Sequence, residues 1–212
     1  ALGQIPTSHQ QNLPLWLDHF DSCFQTYAHN IPSTSGAGVS LYDHAKTTTA
    51  IATALWRYQK TYTDSELSNK TEQKFLLIQA DFFGIQNFIF AQGGDSTKKA
   101  AKLLRGRSFY VSLITECAAL AVLEALELPA TSQIINAAGK FLIVAPNTCS
   151  TIKRLLVLQR KFNQWFLKQS YGQSGLGLAW HAASCDDFVS FKELMKKLHE
   201  KLERSKYHHF DL

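Results

Sequence analysis

The residues best suited to chemistry sit where an apolar run ends. Phe75-Leu76-Leu77-Ile78 leads into Gln79-Ala80-Asp81-Phe82-Phe83-Gly84-Ile85-Gln86-Asn87-Phe88-Ile89-Phe90. The run predicts a buried strand with Asp81 near its tip, a turn at Gly84 and an amphipathic helix from Ile85. A carboxylate at a strand tip, beside a turn whose glycine lets phosphate oxygens approach the backbone, suits magnesium–nucleotide chemistry. Read alone, the same residues also fit a strand that ends in a solvated Asp.

A second group follows. Lys98, Lys99, Lys102, Arg105 and Arg107 crowd one short segment, and Lys98, Lys102 and Arg105 share a helical face. Such a face is either solvated or aimed at phosphates, which Lys and Arg neutralise and Arg can grip with two parallel bonds. Within Leu103-Leu104-Arg105-Gly106-Arg107-Ser108-Phe109-Tyr110, the helical Gly106 costs about 1 kcal/mol relative to Ala. A packed neighbour or a nucleotide is therefore expected against its backbone. Gly93-Gly94-Asp95 looks like a catalytic triplet but lies between two helices, and reads as a loop.

These groups need elements to position them. Ile134 to Pro146 reads as two apolar strands around a tight turn containing Gly139. A helix is expected from about Thr151 to Ser170, then a strand over Leu176–Ala182. A last helix begins after Asp186-Asp187, read as an N-cap pair. The order β-α-α-β-β-α-β-α is that of an α+β, ferredoxin-like domain, the palm of polymerases and nucleotide cyclases. It predicts an antiparallel sheet with the Phe75 strand central, paired with Phe141–Val144, and helices on one face. Ahead of it, Leu13–Tyr27 and Ser40–Tyr62 read as helices around a Pro/Ser/Gly-rich loop at 31–38. Two helices cannot enclose a core of their own.

Asp-x-x-Gly-Ile-Gln-x-Phe-Ile-Phe from Asp81, Leu-Arg-Gly-Arg-Ser-Phe-Tyr from Leu104, the apolar hairpin ending at Pro146 and the upstream Val39–Thr48 segment occur in a set order. Together they resemble the large cyclase-like signature subunit of type III CRISPR effector complexes, particularly the Csm branch. The resemblance covers most of the chain. It implies a piece of a longer subunit: residues 1–62 as the end of a permuted HD-type domain, 63–73 as a linker and 74–212 as the first palm.

The resemblance also implies what this palm does. Active cyclases place Gly-Gly-Asp/Glu-Asp/Glu at the hairpin turn, where this chain has Ala137-Ala138-Gly139-Lys140. Asp81 remains, its acidic partners are absent and a cation stands in their place, so no catalytic residue is expected here. Asp81, Gly84, Ile85, Gln86, Arg107, Ser108, Gly139 and Lys140 would line half of an ATP pocket, with magnesium held mainly by a second palm. The complete subunit would make cyclic oligoadenylates from ATP when target RNA is bound, and its HD domain could cleave single-stranded DNA. His44, in Tyr42-Asp43-His44, matches a ligand position of that HD domain, suited to manganese, nickel or iron. No His-Asp dipeptide completes the site. Implied partners are the other effector subunits, guide RNA and target RNA.

Composition fits such a part. The chain has 212 residues, 45% of them hydrophobic, and a net charge of +5 that leans toward polyanionic partners. No apolar run approaches the roughly 18 residues of a membrane span, so a cytoplasmic protein with no membrane contact is expected. Cys23, Cys117, Cys149 and Cys185 are scattered, and read as reduced, buried thiols. Two other functions are open: a stand-alone nucleotide cyclase, opposed by Ala137–Lys140, and an RNA-binding ferredoxin-like module. The latter stacks bases on aromatic side chains of its central strands, which here offer one aromatic residue.

Overall fold

The structure, a computed structural model, describes residues 2–36, 38–58, 68–90, 100–137 and 139–207. Strand β1 (Phe75–Phe83) follows helices α1 (Thr7–Gln10), α2 (Leu13–Ala28) and α3 (Leu41–Tyr58). Then come α4 (Ile85–Phe90), α5 (Ala100–Leu126), the hairpin β2 (Gln133–Ala137) and β3 (Lys140–Pro146), and α6 (Cys149–Ser170). Strand β4 (Gly175–Ala183), α7 (Cys185–Val189) and α8 (Phe191–Tyr207) follow. The sheet has the order β2-β3-β1-β4, and β1 pairs antiparallel with both β3 and β4. This is the expected palm, with the Phe75 strand central and Ile78 opposite Ile143.

Helices cover both faces of the sheet, not the one expected. Leu76, Ile78, Ala80 and Phe82 turn one way, with Phe141 and Ile143, onto Val111, Ala119 and Val122 of α5 and Leu155 and Phe166 of α6. Phe75 and Leu77 turn the other way, with Leu142 and Val144, onto Ala50 and Ala54 of α3 and Leu194, Leu198 and Leu202 of α8. The reason lies in β1 itself. Its first four residues are all apolar, so both sides of the pleat need cover. Burying a Leu fully contributes about 1.5–3 kcal/mol, which makes the α3 and α8 roof a main source of stability. Helix α3, read from the sequence as part of the preceding segment, thus shares a core with the palm.

Local signals explain the boundaries. Thr148 caps α6, its hydroxyl accepting from the Thr151 amide, so the helix starts two residues before the expected Thr151. The cap of α7 is Ser184 rather than Asp186-Asp187. Its side chain accepts from the Asp187 amide, while the Asp187 carboxylate accepts from the Ser184 amide, a reciprocal capping box. Helix α3 is seen to Tyr58; the remainder of its expected span, to Tyr62, lies outside the described residues, as do linker residues 63–67.

Two expectations from composition change. Helix α5 is long and apolar enough, over Ala101–Leu126, to cross a membrane by length and composition. Its Val111, Ala118, Ala119, Val122, Leu123 and Leu126 are buried against the sheet and α6, which accounts for that composition by a core role. The four cysteines are free, but Cys117 and Cys149 are exposed, because the first lies on the outer side of α5 and the second opens α6.

Candidate half-site at the hairpin tip

Asp81 is the third residue from the end of β1, 7% exposed, paired in register with Lys140 on β3 and Gly177 on β4. Its Oδ2 accepts from Lys206 Nζ at 2.7 Å and lies 3.7 Å from Lys140 Nζ. Lys206 Nζ also donates to Glu203 Oε1 at 2.7 Å. Burial pushes the Lys206 pKa down, but the bonds to Asp81 and Glu203 outweigh it and hold the ammonium above its ordinary value.

Lys206 was not among the residues singled out from the sequence, although a signal was available. Leu194, Leu198 and Leu202 form the stripe that buries α8, and Lys206 is the next position on it. At the sheet, Gly177 leaves room for that last turn: a Cβ there would stand 3.0 Å from Lys206 Cγ and 3.2 Å from Ser205 Oγ.

The other predicted residues divide between two sides. Gly139, at the hairpin turn with φ +83°, sits against Ile85: a Cβ on it would meet Ile85 Cδ1 at 3.1 Å and Val111 Cγ1 at 3.5 Å. The Phe82 amide donates to the Gly139 carbonyl at 2.8 Å. The hairpin tip and the turn after β1 are therefore packed together. Asp81 and Lys140, however, belong to the sheet face under α8, whereas Arg107 and Ser108 stand on α5, which covers the opposite face. The single cluster read from the sequence is thus split across the edge of the sheet.

Three roles also change. At Gly84 (φ +76°) the side that a Cβ would take is filled by protein, 2.4 Å from the Gln173 carbonyl oxygen and 3.1 Å from Ser174 Cα. The approach this glycine permits is that of the chain leading into β4. Arg107 is half-buried and donates through Nη1 to the Ile89 carbonyl at 3.1 Å, fastening α4 to α5. Gly106 meets no packed neighbour among the described residues; the space where a side chain would be is empty within 4 Å.

Gln86, Ser108, Lys102 and Arg105 are exposed. Ala138, Lys98, Lys99 and the Gly93-Gly94-Asp95 triplet lie outside the described residues. Beside Ser108 the sequence reading missed a hollow of about 390 Å³ between α5 and the hairpin, with Phe109, Ser112, Glu116, Asn136 and Gly139 in its wall. Phe109 is 68% exposed there, an aromatic face open to solvent, and Asn136 Nδ2 donates to Glu116 Oε2.

The residues do not fit a magnesium ion. Magnesium on a protein needs free carboxylate oxygens, whereas Asp81 Oδ2 is shared by two ammonium groups. No group of three or more His, Cys, Asp and Glu side chains able to hold a metal occurs among the described residues. His44 is exposed in the first turn of α3, with Nδ1 3.0 Å from Ser35 Oγ.

Strand order and helix placement define an α+β palm fold, in which the first-strand carboxylate is paired with two ammonium groups. The chain belongs to the family described as Csm1 subunit domain B, whose model matches residues 74–212. It is 34% identical over 194 residues to the CRISPR system single-strand-specific deoxyribonuclease Cas10/Csm1 (subtype III-A) of Thermococcus onnurineus, covering 88% of this chain and 24% of that protein. The Cas10/Csm1 protein of Methanocaldococcus jannaschii is 36% identical over 126 residues, 50% of this chain and 15% of that one. The crystal structure of a Csm1–Csm4 cassette in complex with pppApApA matches with a TM-score of 0.82 and 32% identity, over 93% of this chain and 28% of that chain. One in complex with AMPPNP matches at 0.79 and 32%, over 91% and 27%. The chain spans about a quarter of the length of these relatives.

Proposed function

We propose that this chain is the first palm, with the helices before it, of the large subunit of a type III-A CRISPR effector complex. In that subunit it forms the non-catalytic half of an ATP pocket used to make cyclic oligoadenylates. The observation that carries this reading is Asp81 held between Lys206 and Lys140 in an otherwise intact palm. Solved Csm1–Csm4 structures with AMPPNP and with cA4 support nucleotide as the ligand.

The division of labour follows from the residues. Phe109 and Asn136 face the hollow between α5 and the hairpin, and the exposed Ser108 precedes Phe109 on α5; together they would orient base or ribose. Gly139, packed on Ile85, forms part of the hollow's wall, and Gly84 makes the turn that precedes Ile85. Lys140, 52% exposed, would meet phosphate. Lys102 and Arg105 extend the positive surface along α5 toward nucleic acid. Magnesium would be held by the second palm. Residues 1–62 would end an HD-type domain and 63–73 would link it to the palm. The assembly would work in the cytoplasm with a Csm4-type subunit, guide RNA and target RNA.

A stand-alone cyclase is disfavoured by the missing carboxylates. An RNA-binding sheet surface is disfavoured because α3 and α8 cover one face and α5 and α6 the other. The test compares this chain with the complete subunit, each given ATP and magnesium. No turnover by the chain, and loss of product with unchanged target-RNA binding in the Ser108→Ala subunit, is the expected result. Turnover by residues 1–212 that Asp81→Ala abolishes would overturn it.

A further inference from the structure

The disagreement between the palm's magnesium chemistry and the residues present has a physical agent. We infer that the Lys206 ammonium is a resident cation, tethered by α8, that bars Asp81 from recruiting a divalent metal. The reading of the chain as a scaffold half gives this device its meaning in the whole subunit, but the geometry stands by itself.

Lys206 Nζ lies 2.7 Å from a carboxylate oxygen of Asp81 on β1 and 2.7 Å from one of Glu203 on α8. Two carboxylates from different elements converging on one positive centre is how a protein holds a dication, at roughly 2.0–2.6 Å from each oxygen. Here the centre is an ammonium. With Lys140 at 3.7 Å, two cations face two carboxylates among the described residues, which weakens the pull of these carboxylates on a metal.

The ammonium is also held in place. Its side chain is 18% exposed against 10% for Asp81, far from the freedom of an ordinary surface pair. Lys206 extends the stripe of Leu194, Leu198 and Leu202, so the burial of α8 delivers it to the sheet. Gly177, opposite Asp81 in register, supplies the clearance for its stem. Lys140, on an exposed hairpin and at the longer distance, is the lesser partner.

The test is Mn²⁺ binding to the full chain, followed by electron paramagnetic resonance, with folding checked by circular dichroism. Wild type should show no Mn²⁺ site that depends on Asp81. Lys206→Met and Lys206→Gln should bind one Mn²⁺ about tenfold or more tightly than wild type, and adding Asp81→Asn should abolish that gain. Lys206→Arg, which keeps the charge, should stay metal-free. An Asp81-dependent Mn²⁺ site in wild type, or a folded Lys206→Met or Lys206→Gln chain without a new site, overturns the inference. Because no nucleotide is present, this outcome is independent of whether the pocket proposed above binds ATP.

Discussion

Gly84 and Gln173 approach so closely that only a hydrogen fits between them, since a Cβ on Gly84 would lie 2.4 Å from the Gln173 carbonyl oxygen. Gly84 also holds φ at +76°, a region costly for residues with a side chain. The turn leaving β1 therefore rests on the turn entering β4. Gly84→Ala should lower stability by about 3 kcal/mol or more through strain and clash together. Urea denaturation without nucleotide measures this, and a loss under about 1 kcal/mol would show that the two turns yield easily.

The roof over the second sheet face should show in core truncations. Leu198, on the inner side of α8, is fully buried against the sheet, and Leu198→Ala should cost about 2–5 kcal/mol. Trp56, 77% exposed on α3, is the control: Trp56→Ala should change stability by no more than about 0.5 kcal/mol. Equal effects from the two would contradict the packing described.

His181, on β4 in register with Leu77, gives a dependence on acid. Burial first, then Lys201 and Lys197, lowers its pKa below the ordinary 6.5, with Asp187 opposing. Its Nδ1 is buried with no hydrogen-bond partner among the described residues. A depressed histidine contributes stability that is present above pH 6.5 and lost as pH falls through the folded value. Thermal melts from pH 7.5 down to 5 should fall for wild type and flatten in His181→Gln. Parallel curves for the two proteins would assign the loss to other groups.

Arg107 and Ser108 are neighbours with separable effects. Arg107→Ala removes the bond to the Ile89 carbonyl and should cost about 1–2 kcal/mol of stability as well as nucleotide-dependent activity in the complete subunit. Ser108 is exposed, so Ser108→Ala should leave stability within about 0.5 kcal/mol while still reducing product formation. Full activity in the Ser108→Ala subunit would remove α5 from the nucleotide site.

The sequence was legible wherever one local rule dominated. The apolar run at Phe75, the turn at Gly139 and the stripe of α8 each fixed an element, and their order fixed the strand arrangement. Contacts between distant residues were harder to read. Nothing near Gly84 names Gln173, which fills its open side, and nothing near Asp81 names Lys206, 125 positions along the chain. The split of the half-site was hidden because strand parity sends Asp81 and Phe82 to opposite faces, a detail that a list of polar residues near a turn does not carry.

The cover that α3 lends the sheet bears on where this protein can be cut. The family match begins at residue 74, yet Ala50 and Ala54 of α3 are 0% exposed against the sheet's second face. Arg57 locks the end of that helix to Glu127, with Nη2 3.1 Å from Oε2. The stretch that the family model matches and the stretch that packs around one sheet are therefore of different lengths. A piece started at Lys74 would turn Leu142 and Val144 toward water, an open apolar sheet surface of the kind that draws chains together. Started before Leu41, the same palm carries its own lid. Helix α3 is therefore part of the palm's own core, although it lies ahead of the family match.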